Sequence, residues 1–212
     1  MKLRLLAIAA VASALTGLAA QSAAAPAASA YTCYGTERWP IKTLSDPDAG
    51  NVSMTPVSKS VLDLWALQPP AGFDKSIRNP GVEMTTYKVT ARLVRARWVN
   101  DPPPAPGKHG GDLDIHLVIA PAGDPTENHT IVVEFPFPQC VHASAALKAR
   151  MTAARDTFLN DCGLPGRHFH DLSGTATIRG VGFFDRPHAS GAAEHGFELH
   201  PVLRFNSNDC AP

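Results

Sequence analysis

Between Glu83 and Phe205 the apolar residues fall into five runs of period two, broken once by a run at helical spacing. Period two sends alternate side chains to opposite faces of a strand, and a period near 3.6 gathers them on one face of a helix. The first run sets Tyr87, Val89, Ala91 and Leu93 against Lys88, Thr90, Arg92 and Val94. It continues through Arg95, Arg97 and Trp98 to Val99 as one long, bent strand. Leu113 to Ile119 is the second strand and Thr130 to Phe135 the third. Ala145, Leu147, Met151, Ala154 and Phe158 then mark a helix over 143–160, ended by Gly163, Pro165 and Gly166. Thr175 to Phe184 and Phe197 to Phe205 are the fourth and fifth strands. The order β-β-β-α-β-β with a long first strand is that of an OB-like five-stranded Greek-key barrel over residues 83–212. Ligands of such barrels usually meet the outer face of strands two and three and the loops after strands one and four, here 100–111 and 185–196.

Residues 1–30 have the form of a signal peptide. Lys2 and Arg4 precede an apolar stretch from Leu5 to Leu18, and Ala28-Ser29-Ala30 offers a cleavage site. That stretch is short and Ala-rich, and no second one follows, so no membrane span is expected in the mature chain. The remaining length of about 180 residues suits one domain with a core. Without Lys2 and Arg4 the chain carries 17 basic and 19 acidic residues, a net charge of −2. Such a balance lacks the basic footprint of a protein that grips nucleic-acid backbones.

Four cysteines in an exported chain imply two disulfides. A helix over 143–160 would hold Cys140 and Cys162 roughly 25 Å apart, too far for a bond whose Cα atoms lie within about 7 Å. Cys33–Cys140 with Cys162–Cys210 is the preferred pairing, and Cys33–Cys162 with Cys140–Cys210 remains open. Residues 31–82 are turn-rich and read as an irregular N-terminal arm with one short helix between Ser58 and Leu67. Ser58 or Ser60 would cap that helix, with Val61, Leu64 and Trp65 facing inward.

Alternation also sorts the polar residues. With Leu113, Ile115, Leu117 and Ile119 inward on strand two, Asp114 and His116 point outward. Glu134 does so on strand three, and Glu198 and His200 on strand five. Strand three of an OB barrel lies between strands two and five, so these five residues are expected to form one outer patch. Asp185 and His188, after strand four, would fold over it. Two chemistries suit such a set. His116, His200 and Asp114 are candidate ligands of a divalent metal that activates water. Glu134, Glu198 and His188 are candidates for acid–base catalysis, with Lys42, and Arg38 beside it, stabilising a developing anion. The plain alternative is a solvated polar surface. A metal-assisted or acid–base hydrolase of a small-molecule or oligomeric substrate is the first functional expectation, phosphodiesters among the candidates by analogy of fold. Its rivals are a non-catalytic binding module for a small molecule or oligosaccharide, and a protein-interaction domain.

Several of these motifs occur together elsewhere. Glu37-Arg38-Trp39-Pro40-Ile41-Lys42-Thr43 with Asp46 and Asp48, Asp112-Leu113-Asp114-Ile115-His116-Leu117-Val118, and Val133-Glu134-Phe135-Pro136 with Cys140 are three of them. The last is Gly182-Phe183-Phe184-Asp185, His188, Gly191 and Glu198-Leu199-His200-Pro201-Val202-Leu203. Together they resemble the E-R-W-x-V-K-T, D-x-D-x-H-L-V, E-x-P…C and G-F-F-D…H-G…E-L-H-P-V-L elements of a family of exported bacterial proteins with no assigned function. The resemblance implies export and brings no activity with it. Where the family pattern has Asn shortly before E-L-H-P, this chain has Glu194-His195 in a loop one residue shorter.

Overall fold

The long first strand is the spine of the molecule. In the computed structural model, which describes residues 32–33, 38–99, 110–186 and 191–211, it is β3 (Thr85–Trp98), the third of nine described strands. Before it come β1 (Thr32–Cys33) and β2 (Ser53–Ser58), with α1 (Trp39–Lys42) and α2 (Val61–Trp65). After it come β4 (Gly110–Gly111), β5 (Ile115–Pro121), β6 (Ile131–Phe135), α3 (Ala145–Cys162), β7 (His170–Asp171), β8 (Ser173–Phe184) and β9 (Phe197–Ala211). The chain is mainly β, with a mixed sheet of seven strands and a separate β1–β4 pair.

β3 is antiparallel to β8 along residues 86–92 and to β5 along residues 91–98. β5 pairs antiparallel with β6, β6 parallel with β9, and β9 antiparallel with β8, so the path of pairing returns to β3. The bend has a local cause. A register shift between Leu93 and Arg95 inserts one residue into β3, and such a bulge sharpens twist. It also changes parity: Val89, Ala91 and Leu93 face the main core before it, and Ala96 after it.

The main core lies between the strands and α3, where Phe135, Phe158 and Phe205 meet with ring centroids 5.0–5.6 Å apart. Ser144 caps α3 through its hydroxyl, which accepts from the Leu147 N–H. α3 keeps Cys140 and Cys162 at opposite ends, and the disulfides are Cys33–Cys140 and Cys162–Cys210, with Cα atoms 5.1 and 5.2 Å apart.

Three expectations change. Leu113 is not part of the inward stripe: it sits before β5 at φ 57°, and its carbonyl accepts from Arg155. The segment before residue 83 is not an irregular arm with one helix. β2 pairs in parallel with β3 and so belongs to the sheet; Ser60 caps α2 reciprocally with Asp63. The outer face, where the polar patch is expected, is covered rather than open at β8 and β9. Leu44, Ala49 and Val52 from the N-terminal segment pack there against Val141, Met151, Val181 and Leu203 in a second apolar cluster.

One glycine decides how closely the turn Val82–Met84 can approach β8. A Cβ on Gly182 would lie 2.6 Å from the Val82 carbonyl oxygen and 2.8 Å from the Tyr87 ring. Gly182→Ala is therefore expected to destabilise by about 1–3 kcal/mol through overpacking, seen as a lower urea midpoint at unchanged slope. An unshifted midpoint would mean that the turn is free to move away.

Candidate functional site

The register of β5, β6 and β9 brings the predicted residues together. His116 is the cross-strand partner of Glu134, and Val132 pairs with Glu198, so the outward positions of three neighbouring strands converge. His116 Nδ1 lies 2.9 Å from Glu134 Oε1, His200 Nδ1 2.9 Å from Glu134 Oε2, and His200 Nε2 3.3 Å from Asp114 Oδ2. The two His200 contacts are close but angled off the ring N–H directions. Asp114 Oδ2 and both ring nitrogens of His200 are thus buried without a hydrogen-bond partner. Asp114 Oδ1 accepts from the Phe137 N–H at 3.1 Å.

These residues face away from the main core, as alternation requires, yet none of them is a solvated surface group. His200 and Glu198 are 0 % exposed, Asp114 1 %, His116 2 % and Glu134 7 %. Alternation fixes only which side of a strand a residue takes; what covers that side comes from distant parts of the chain. α1 lays Lys42 across the face, and Phe169 packs on His116 with centroids 5.6 Å apart.

Burial makes the electrostatics strong. Burial opposes a charge on His200, but the Glu134 and Asp114 carboxylates outweigh it and raise its pKa to about 9. Burial pushes Asp114 above the usual carboxylate range, against the pull of His200. The same penalty acts on Glu134, but His200, His116 and Lys42 overcome it and hold this carboxyl well below that range. Lys42 is pulled down by burial and pushed up more strongly by Glu134, Asp185 and Glu198, so its pKa ends above the ordinary lysine value. These carboxylates favour its charged form.

A cavity lies at the hairpin loop between β8 and β9 and shares Asp185 with the Lys42 pair. Its volume is about 340 Å³, and Arg38, Phe73, Phe184, Asp185, Glu194 and His195 are among its lining residues. Phe73 and Phe184 meet edge to face at 6.1 Å. Asp185 belongs to both places: it lines the cavity, and its Oδ2 accepts from Lys42 Nζ at 2.6 Å. Arg38, expected beside Lys42, instead forms a bidentate pair with buried Glu83 at 2.6 and 2.7 Å. His188 and Glu37 lie outside the described residues. Sequence reasoning passed over Glu83, Phe73 and Arg186, another cavity residue. Nothing in their local pattern marks them, because their partners are far away in the chain.

No protein-family model matches the chain, and no curated protein matches it. Among solved structures, one described as an aspartyl-tRNA synthetase from Leishmania major Friedlin is similar at a TM-score of 0.38 and 9 % identity. The match covers 74 % of this chain and 21 % of that one, so the chain spans about a fifth of the protein it matches.

Proposed function

We propose that this is an exported OB-like barrel protein whose role is to bind a small polar molecule with an apolar face, the chemistry of a pyranose sugar, in the cavity of the β8–β9 loop. The returning path of strand pairing, with β6 between β5 and β9, supports the barrel. Two disulfides and the motif resemblance support export. The observation that carries the binding role is the cavity itself. Phe73 and Phe184 supply an apolar wall, and Asp185, Arg186, Glu194 and His195 supply polar groups of both signs. Its size is at the lower end of the range typical of small-molecule sites. Glu134, Glu198 and Lys42 are too deeply buried to touch a ligand and act indirectly. The two carboxylates hold Lys42, which holds Asp185 at the cavity wall.

The test is calorimetric titration with short cello-, chito- and malto-oligosaccharides. One of these series is expected to bind, and Glu194→Gln and His195→Ala are each expected to weaken it about tenfold, roughly one lost hydrogen bond, with melting unchanged. If none of the three binds, the sugar reading is wrong. One observation favours a second reading, hydrolysis: Asp185, Glu194 and His195 line the same cavity, and general acid–base chemistry needs such groups. Cleavage of the bound series, abolished in His195→Ala while binding persists, would make the protein an enzyme.

A further inference from the structure

We propose that Asp114, Glu134 and His200 bind one divalent transition-metal ion, zinc by preference, in the buried centre beneath the N-terminal segment. The site lies apart from the sugar cavity, and its one link to it runs from Glu134 through Lys42 to Asp185. Among the described residues, these three each offer a ligand atom, and the three atoms lie within 4.8 Å of one another.

A second observation points to a missing partner. Asp114 Oδ2 and His200 Nε2 are buried and face each other as an ion pair 3.3 Å apart that lacks hydrogen-bond geometry, so both can still accept a further partner. This distance is about the separation of two donors on a tetrahedral ion with bonds near 2.0–2.1 Å. The atoms behind them are already anchored. Asp114 Oδ1 accepts from the Phe137 N–H, and Glu134 Oε1 faces His116 Nδ1. Carboxylate and imidazole partners of this kind orient the ligands of metal centres. Arg155 braces the same corner through the carbonyls of Phe135 and Leu113.

Charge argues in the same direction. Asp114, Glu134, Glu198 and Asp185 place four carboxylates around one ammonium, Lys42, and one guanidinium, Arg155. The carboxylates outnumber these two cations, and a divalent ion would reduce that excess. Buried charge without compensation is costly. The donor set selects among ions. An imidazole with two carboxylates suits zinc, whereas calcium takes six to eight oxygens, and magnesium keeps several waters.

The experiment strips the purified, disulfide-intact protein with chelator, reloads it with Zn²⁺ or Co²⁺, and measures metal content, melting and visible absorption. Wild type is expected to retain about one ion per chain, to melt higher when loaded, and to show the d–d bands of tetrahedral Co²⁺. Asp114→Asn and His200→Asn are expected to lose the ion and the bands. Because these variants could fold poorly, the wild-type melting shift is read independently of them. Contaminant-level metal in reloaded wild type, with melting indifferent to chelator and Zn²⁺, overturns the proposal. So does full retention of the ion in both variants, which would place it elsewhere. Oligosaccharide titration of the stripped protein tests the cavity separately, so either reading can fail alone.

Discussion

Glu83→Ala is expected to lower the unfolding free energy by about 3–5 kcal/mol, the usual cost of removing one partner from a buried ion pair. Glu83 is 0 % exposed and joins three distant segments. Its Oε1 accepts from Arg38 Nη1 and from the Phe184 N–H, and its Oε2 from Arg38 Nη2 and both the backbone and side-chain N–H groups of Asn79. Arg38 is itself committed. It stands at φ 62°, in the left-handed region that costs a residue with a Cβ about 1–2 kcal/mol. Its guanidinium also donates to the carbonyls of Lys75, Ile77 and Phe184 and lies over the rings of Phe73 and Phe183. Without Glu83 that largely buried cation would lose its paired carboxylate. For a domain of this size the loss amounts to roughly a 10 °C fall in melting temperature. Urea unfolding of the variant would check it, and a loss below about 1 kcal/mol would show that the pair is mainly a positional clamp. Arg38, Phe73 and Phe184 line the cavity, so sugar affinity should fall together with stability.

The Cys33–Cys140 bridge is the second large lever. It spans 107 residues, against 48 for Cys162–Cys210. In the chain-entropy account, closing a loop of about 100 residues stabilises by about 4.7 kcal/mol, and one of about 50 residues by about 4. The double variant Cys33→Ser/Cys140→Ser is therefore expected to lose up to about 4–5 kcal/mol, slightly more than Cys162→Ser/Cys210→Ser. The two losses should differ in kind as well as in size. Cys33 ties down the segment that carries Lys42 and Leu44 onto β8 and β9. Its removal should speed amide hydrogen exchange over residues 38–52 before global unfolding. Opening the other bridge should loosen the end of α3 and the end of β9. Equal exchange in both variants would show that the segment is held by its packing, by Arg38 and by Arg78, which donates to the Ile41 carbonyl and pairs with Asp46, not by the bridge.

The five strands and α3 could be read from the sequence because side-chain periodicity is a local property, and their boundaries moved by only a few residues. Ser173 instead of Thr175 opens β8, and β9 runs on to Ala211. The same local rule placed Asp114, His116, Glu134, Glu198 and His200 on the side opposite the core. Helix length, a rigid distance, excluded a Cys140–Cys162 bridge, and the fold decided between the two remaining pairings. Beyond that, the deciding contacts cross long stretches of chain. The bulge after Leu93, the pairing of β2 with β3, the joining of Arg38 to Glu83 across 45 residues and of Lys42 to Asp185 across 143 leave no periodic trace. Those contacts turned an expected outer-face patch into a buried, charge-rich centre. Local pattern determined which residues share a face; only the folded chain decided what covers that face, because burial depends on contacts that no short window of sequence contains.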